Sequence, residues 1–316
     1  MLRMTVDRIS PLVPKERTII VTTQSHASGV EKLLPELNGE NILVEPQGKN
    51  TAPALSLAAA HILSRDPDGV MVVLPSDHVI GSPKKLLAEI RSAAGMADRK
   101  RLLMTFGVPP SRPETGFGYI EVGEKIERNV FEVRSFKEKP NLKKAKDYLD
   151  SGRYLWNSGM FVFRCDVLME KIGKHLPALY SAWKVYSESA MGSGDLEKFY
   201  EEAESVSIDY GIMEKCSASA AVVSVSFGWN DVGSWKAIDD LWDSDDAGNR
   251  AGQSKLVAVN STGNTVVSKK LVALLGVEDL IIVETDDALL VCKKERAQEI
   301  KSLVDEIERR GLKEYL

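Results

Sequence analysis

Short β-branched runs alternate with longer amphipathic stretches along the first hundred residues. This alternation constrains the fold more than any other feature of the chain. The run Val70-Met71-Val72-Val73-Leu74 carries no polar side chain. Such a strand is expected where both faces of a sheet are covered, as in parallel sheets. Residues 18–22 and 41–44 read as strands before it and 102–108 as one after it. Between them, 51–64 and 84–97 read as helices; Pro53 falls in the first turn of the earlier one, where a missing N–H does no harm. The rhythm predicts a layered α/β domain with a mixed, mostly parallel sheet.

Past Phe117 the pattern changes. Residues 119–122 and 130–136 alternate in polarity, as strands with one solvated face do. A helix is expected over 141–149, capped by Asn141, and a strand over 159–163. Helices follow at 166–172, 177–186 and 196–203, and a strand over 220–227 ends in Gly228-Trp229-Asn230-Asp231. The polar stretch 243–252, rich in Asp and Gly, is expected to separate a main domain, residues 1–245, from a strand-rich unit, residues 250–316. Five short strands and an amphipathic helix over 295–309 make up that unit. It is small for independent stability, so it is expected to dock on the main domain or on a partner subunit.

The charge balance excludes one class of function. Forty-one Lys and Arg stand against 46 Asp and Glu, and the basic stretches near Lys137–Lys146 and Glu299–Lys313 are interleaved with acids. A protein that grips a nucleic-acid backbone needs a basic stripe. Cys165, Cys216 and Cys292 are far apart and form no CxxC pair, which fits a reducing compartment. No apolar run reaches membrane-spanning length, and the first residues lack the apolar core of a signal peptide. The expectation is a cytoplasmic protein with no membrane or nucleic-acid partner.

Several segments could carry chemistry. In Leu74-Pro75-Ser76-Asp77-His78 an acid directly follows a buried strand. Ligands of open α/β sheets bind outside the carboxyl ends of the strands. A carboxylate there can hold Mg²⁺, which takes one or two protein carboxylates and completes its shell with water and phosphates. Equally, Asp77 could cap the next helix; His78 could orient it or fill a polar pocket. Asp231, in Trp229-Asn230-Asp231-Val232-Gly233-Ser234-Trp235, is its natural partner, although on its own that segment reads as a packed turn. Glu45, Lys49, Asn50 and Thr51 lie in the loop that opens the helix at 51–64, whose free N–H groups would suit a phosphate. Gly116 and Gly118 sit beside aromatics and permit close backbone approach. Glu138 and Lys139 offer an acid beside a base; Asn157 precedes a strand as a turn residue or a hydroxyl reader; Asp209 opens a capped helical segment or nothing more. There is no GxSxG elbow, no Walker A motif and no GxGxxG.

Taken in order, EPQGKNTAPA, LPSDH, RPETGFGYI, FKEKP, LWNSGMF, SIDYGIMEK and WNDVGSW resemble the motifs of the bacterial mannose-1-phosphate guanylyltransferases. They span Glu45 to Trp235. The resemblance implies a Rossmann-like nucleotidyltransferase domain and a small C-terminal domain related to a left-handed β-helix. It implies GTP and mannose 1-phosphate as substrates, with Mg²⁺ on Asp77 and Asp231. Motif by motif, the loop with Glu45, Lys49, Asn50 and Thr51 resembles part of the guanine and ribose site. Gly118 resembles a backbone contact to the sugar. Glu138 and Asn157 resemble the readers of mannose hydroxyls, and Lys139 and Lys215 the contacts to the sugar phosphate. Pro75 and Asp209, from LPSDH and SIDYGIMEK, join the substrate-binding set. The family also carries a glycine-rich, arginine-bearing loop that would precede Met1. The expectation is therefore a shortened chain with poor turnover if that loop is absent from the protein. Another sugar-1-phosphate nucleotidyltransferase and a non-catalytic nucleotide-sugar-binding subunit remain open. A glycosyltransferase with a DxD metal site ranks low, because Asp77 stands alone and Asp286-Asp287 lies in the C-terminal unit. Oligomeric state is open, a homodimer among the options.

Overall fold

The computed structural model describes residues 1–233 and 242–315, with the side chains of Gln298 and Lys313 excepted. Ser234 and Trp235, which end the WNDVGSW motif, lie outside the described residues. Two compact units divide the chain, Met1–Trp229 and Asn230–Leu316.

The first unit begins with helix α1 (Leu2–Ile9), strand β1 (Ile20–Thr23), helix α2 (Gln24–Leu33) and strand β2 (Ile42–Glu45). β1 and β2 pair in parallel, and Val6, Val30, Leu34, Leu37 and Ile42 form a small core beneath them. Helix α3 (Thr51–Leu63) follows, then β3 (Val70–Val73), β4 (Val79–Ile80), α4 (Pro83–Lys100) and β5 (Leu103–Val108). α4 buries Leu86, Ile90, Ala93 and Ala97, a stripe at helical spacing. Next come β6 (Tyr119–Glu127), β7 (Val130–Lys137), α5 (Leu142–Ser151) and β8 (Tyr154–Arg164). Asn141 caps α5 by accepting the Lys144 N–H. Three helices, α6 (Cys165–His175), α7 (Pro177–Ser187) and α8 (Ser193–Glu202), lead to a π-helical turn, Asp209–Met213, and to β9 (Ala220–Ser224) and β10 (Trp229–Asn230).

The main sheet has the order β3-β8-β5-β9-β7-β6, and β6 pairs in addition with the first residues of β8. The strands β8, β5, β9, β7 and β6 therefore close on one another. Strand alternation covers both faces. Phe161, Phe163, Ala220 and Val222 enter the core shared with α3, α6, α7 and α8; Met160, Val162, Ala221 and Val223 enter the core under α4.

The sheet is mixed, but the expectation that it is mostly parallel is corrected. Within it only β5 and β9 pair in parallel. β8 inserts between β3 and β5, antiparallel to both. The apolar run 70–74 does have two covered faces: Met71 and Val73 face one core, and Val70, Val72 and Leu74 the other. Apolarity is silent on the direction of the neighbouring strand, and here that neighbour comes from far along the chain and runs the opposite way. Asn157 likewise sits inside the 11-residue strand β8, not in a turn ahead of it.

In the second unit, β11 (Lys255–Val259) pairs in parallel with β13 (Leu271–Leu275), and β12 (Thr265–Val267) with β14 (Leu280–Glu284). Lys255 lies beside Leu271 and Thr265 beside Ile281, an offset of 16 residues in both pairs. β15 (Leu289–Lys293) adds antiparallel to β14, and helix α9 (Ile300–Arg309) follows. A buried amide ladder runs up the inside. Asn249 Oδ1 accepts from the backbone N–H and the Nδ2 of Asn264, and Asn264 Oδ1 accepts the Leu280 N–H. Among the described residues no helix is long and apolar enough to cross a membrane.

Candidate active site

β3 runs out at Leu74 and Pro75, and Asp77 follows with a largely exposed carboxylate. His78 beside it is fixed on several sides. The Trp229 indole N–H donates to its Nδ1 at 3.0 Å, with the two rings edge to face at 5.5 Å, and its carbonyl accepts from Arg8 Nη2 at 3.1 Å. With Nδ1 accepting, the proton of the neutral ring sits on Nε2, which lies 4.0 Å from Asp77 Oδ1. Pro75 packs near Gly159, whose φ of +67° falls where β8 shifts register against β5.

Asp231 is the second residue of the second unit. An added Cβ on Gly233 would lie 2.6 Å from Asp231 Oδ2, so the glycine makes room for that carboxylate. Among the described residues no three His, Cys, Asp or Glu side chains gather as a metal cluster. The donor chemistry still suits Mg²⁺: Asp77 presents a hard, solvent-facing carboxylate, the ligand type of which that ion needs only one or two.

A second constellation lies where β6, β8 and the segment after β7 meet. Gly118 contributes no side chain, and a Cβ there would lie 2.3 Å from Glu138 Oε2 and 3.2 Å from Asn157 Cβ. Its carbonyl accepts the Asn157 N–H at 2.8 Å. Asn157 Nδ2 donates to Asp209 Oδ1 at 2.9 Å, and its Oδ1 accepts the Gly159 N–H at 3.1 Å. The backbone N–H of Glu138 donates to Glu214 Oε1 at 3.3 Å. Glu138 Oε2 is buried and has no hydrogen-bond partner among the described residues. Burial, with Asp209 and Glu214 nearby, pushes the Glu138 carboxyl up to about 7 against the pull of Lys139. Burial raises Asp209 as well, although the Asn157 amide opposes it. Lys139 takes a φ of +43° directly before Pro140, a strained conformation for a residue with a side chain.

A third group surrounds the start of α3. Glu45 is buried and accepts the Tyr200 hydroxyl at 2.9 Å; burial raises its pKa and that bond opposes the rise. Lys49 Nζ donates to the carbonyls of Ala203 and Glu201, at the carboxyl end of α8. Asn50, with a φ of +67°, accepts the Thr51 N–H on its side chain. Thr51 Oγ1 accepts the Ile208 N–H, and the Ala52 N–H goes to the Val206 carbonyl. Pro53 has no N–H. The N–H groups of Thr51 and Ala52 are therefore taken within the fold, and the α3 N-terminus keeps its positive dipole.

The structure brings Gly118, Glu138, Asn157 and Asp209 together, with Lys139 adjoining. It sets Glu45, Lys49, Asn50 and Thr51 around α3 and the 200–208 segment. Lys215 follows Glu214 directly, and with Lys174 and Lys171 it lowers the pKa of His175, after the larger effect of burial. Two participants escape sequence reasoning, Glu214 and the indole of Trp229. The only signal for Glu214 is an acid five residues after Asp209.

A model described as nucleotidyl transferase matches residues 1–247, and one described as mannoseP isomerase/GMP-like beta-helix domain matches residues 254–307. The chain is 38% identical over 320 residues to the xanthan biosynthesis protein XanB of Xanthomonas campestris pv. campestris, covering 99% of this chain and 67% of that protein. It is 36% identical over 324 residues to a mannose-1-phosphate guanylyltransferase of Klebsiella pneumoniae, covering 100% of this chain and 68% of that one. Among solved structures, mannose-1-phosphate geranyltransferase from Thermus thermophilus superposes with a TM-score of 0.87 at 32% identity, covering 97% of this chain and 89% of that one. The N-terminal part is thus a Rossmann-like nucleotidyltransferase domain, and the strand-rich C-terminal part resembles the β-helix domain found with it. The chain belongs to the nucleotidyl transferase family, within the group of mannose-1-phosphate guanylyltransferase-like proteins.

Proposed function

We propose that the chain transfers GMP from GTP to mannose 1-phosphate, releasing pyrophosphate and GDP-mannose. The observation that carries this reading is the buried carboxyl oxygen of Glu138, without a partner among the described residues, beside the Asn157 amide and beneath the bare backbone of Gly118. A buried polar group without a partner is rare in a folded protein. Here it lies beside the Gly118 backbone and the Asn157 amide, donor and acceptor groups of the kind a polyhydroxylated ring bonds. A carboxyl raised to about 7 is part-protonated near neutrality, so it can donate to one sugar hydroxyl while accepting from another.

The chemistry then asks little of acid–base groups. A phosphate oxygen of the sugar 1-phosphate is already ionised near neutral pH and attacks the α-phosphorus in line, and pyrophosphate departs. Alignment and charge neutralisation are the protein's work. Lys139 faces the sugar phosphate, and Glu138, Asn157 and Gly118 hold the ring. Asp77 and Asp231 are the residues that would hold Mg²⁺, which when bound neutralises charge on the phosphates. His78 lies beside Asp77, its Nε2 4.0 Å from the carboxylate. The loop from Glu45 to Thr51 borders the base and ribose. The choice of guanine and mannose leans on the relatives' names, one of which specifies a different transferred group. Four nucleoside triphosphates assayed against mannose, glucose and N-acetylglucosamine 1-phosphates for pyrophosphate release test it. GTP with mannose 1-phosphate should be the preferred pair by at least about tenfold in kcat/KM. Preference for another pair would reassign the substrate.

A further inference from the structure

The turn at Asp209–Met213 is π-helical, and its geometry has a consequence for the sugar slot. The Glu214 N–H donates to the Asp209 carbonyl at 2.9 Å, a bond that spans five residues. In an α-helix two residues five apart would lie about 140° apart around the axis. A π turn closes i to i+5 and stacks them. Asp209 and Glu214 therefore reach the same side. Asp209 accepts from the Asn157 amide, and Glu214 accepts from the backbone N–H of Glu138.

We propose that Asp209 and Glu214 are the positioning residues of the sugar subsite, and that the π turn exists to aim both at it. The inference rests on the transferase reading above. Asn157 has two amide hydrogens and one carbonyl oxygen. Gly159 occupies the oxygen and Asp209 one hydrogen, so the amide cannot flip and its second hydrogen is held for a ligand. Glu214 anchors the strained turn at Glu138-Lys139-Pro140, which keeps the buried Oε2 of Glu138 pointed beside Gly118. Gly211 lets the π turn seat closely, because a Cβ there would lie 2.9 Å from Leu176 Cδ1. Folding alone gives no reason to set two carboxyls beside a third whose buried oxygen lacks a partner among the described residues.

The experiment titrates GDP-mannose and, as the ligand without a sugar, GDP by calorimetry on the full chain. Asp209→Ala and Glu214→Ala should each weaken GDP-mannose binding roughly tenfold, the worth of one lost hydrogen bond to a charged group, with GDP affinity unchanged. Asp209→Asn and Glu214→Gln keep an acceptor oxygen and should bind within about threefold of the parent. They also decide the matter should an alanine variant fail to fold. If the alanine variants bind GDP-mannose as the parent does, or if the amide variants lose as much as the alanine ones, the positioning role is wrong while the transferase reading stands. A parental chain that does not bind GDP-mannose contradicts both.

Discussion

At the scale of single residues, the proposed sugar slot is defined by what is missing as much as by what is present. Gly118 has no side chain, and Glu138 Oε2 occupies the space a Cβ would need. Gly118→Ala should displace that carboxyl and raise KM for the sugar phosphate more than KM for the nucleotide, which steady-state kinetics with each substrate varied in turn would reveal. Glu138 itself predicts a pH dependence. Its folded pKa of about 7 exceeds the reference 4.5, so the folded state holds the proton more tightly than the unfolded one. The linked stability is fully present below the lower value and is lost as pH rises through the upper. The Tm of Glu138→Gln relative to the parent should therefore climb between about pH 4.5 and pH 7 and level off above; a flat difference would refute the assignment. Residue types alone exposed the acids, the base and the glycines of this site. They could not expose the partnering of Asn157 with Asp209, which depends on two segments meeting in space.

At the scale of elements, the strands and helices were legible because burial imposes periodicity. The stripe of α4 and the double-faced apolarity of β3 follow directly from the sequence. Strand direction and insertion order were not legible, because the side chains of β8 look the same whichever neighbours it finds. The central place of β8 has a cost when it is truncated. Phe163 is fully buried, and Phe163→Ala should destabilise the fold by about 3–5 kcal/mol in urea unfolding. The π turn left no periodic trace at all, since one extra residue in a five-residue turn is invisible to pattern. In the second unit the amide ladder ties successive segments together, Asn249 to Asn264 and Asn264 to Leu280. Asn264→Ala strands the Leu280 N–H and the Val277 carbonyl, both partners of its side chain, and should lower stability by about 2–4 kcal/mol. A loss below about 0.5 kcal/mol would mean the ladder is incidental.

At the scale of the whole molecule, family membership and the sugar slot point to nucleotidyl transfer onto a sugar 1-phosphate. Seven short motifs spread from Glu45 to Trp235 were enough to suggest it; among them the structure shows an exposed carboxylate after a buried strand, a glycine beside the Glu138 carboxyl and a strained lysine before proline. The most direct test is Mg²⁺-dependent pyrophosphate release from GTP and mannose 1-phosphate by the parent, Asp77→Asn and Asp231→Asn. The account predicts turnover by the parent that a chelator abolishes, and a fall of roughly a hundredfold or more in kcat for each variant with little change in Tm. Near-parental turnover by either variant at saturating Mg²⁺ and substrates would contradict it.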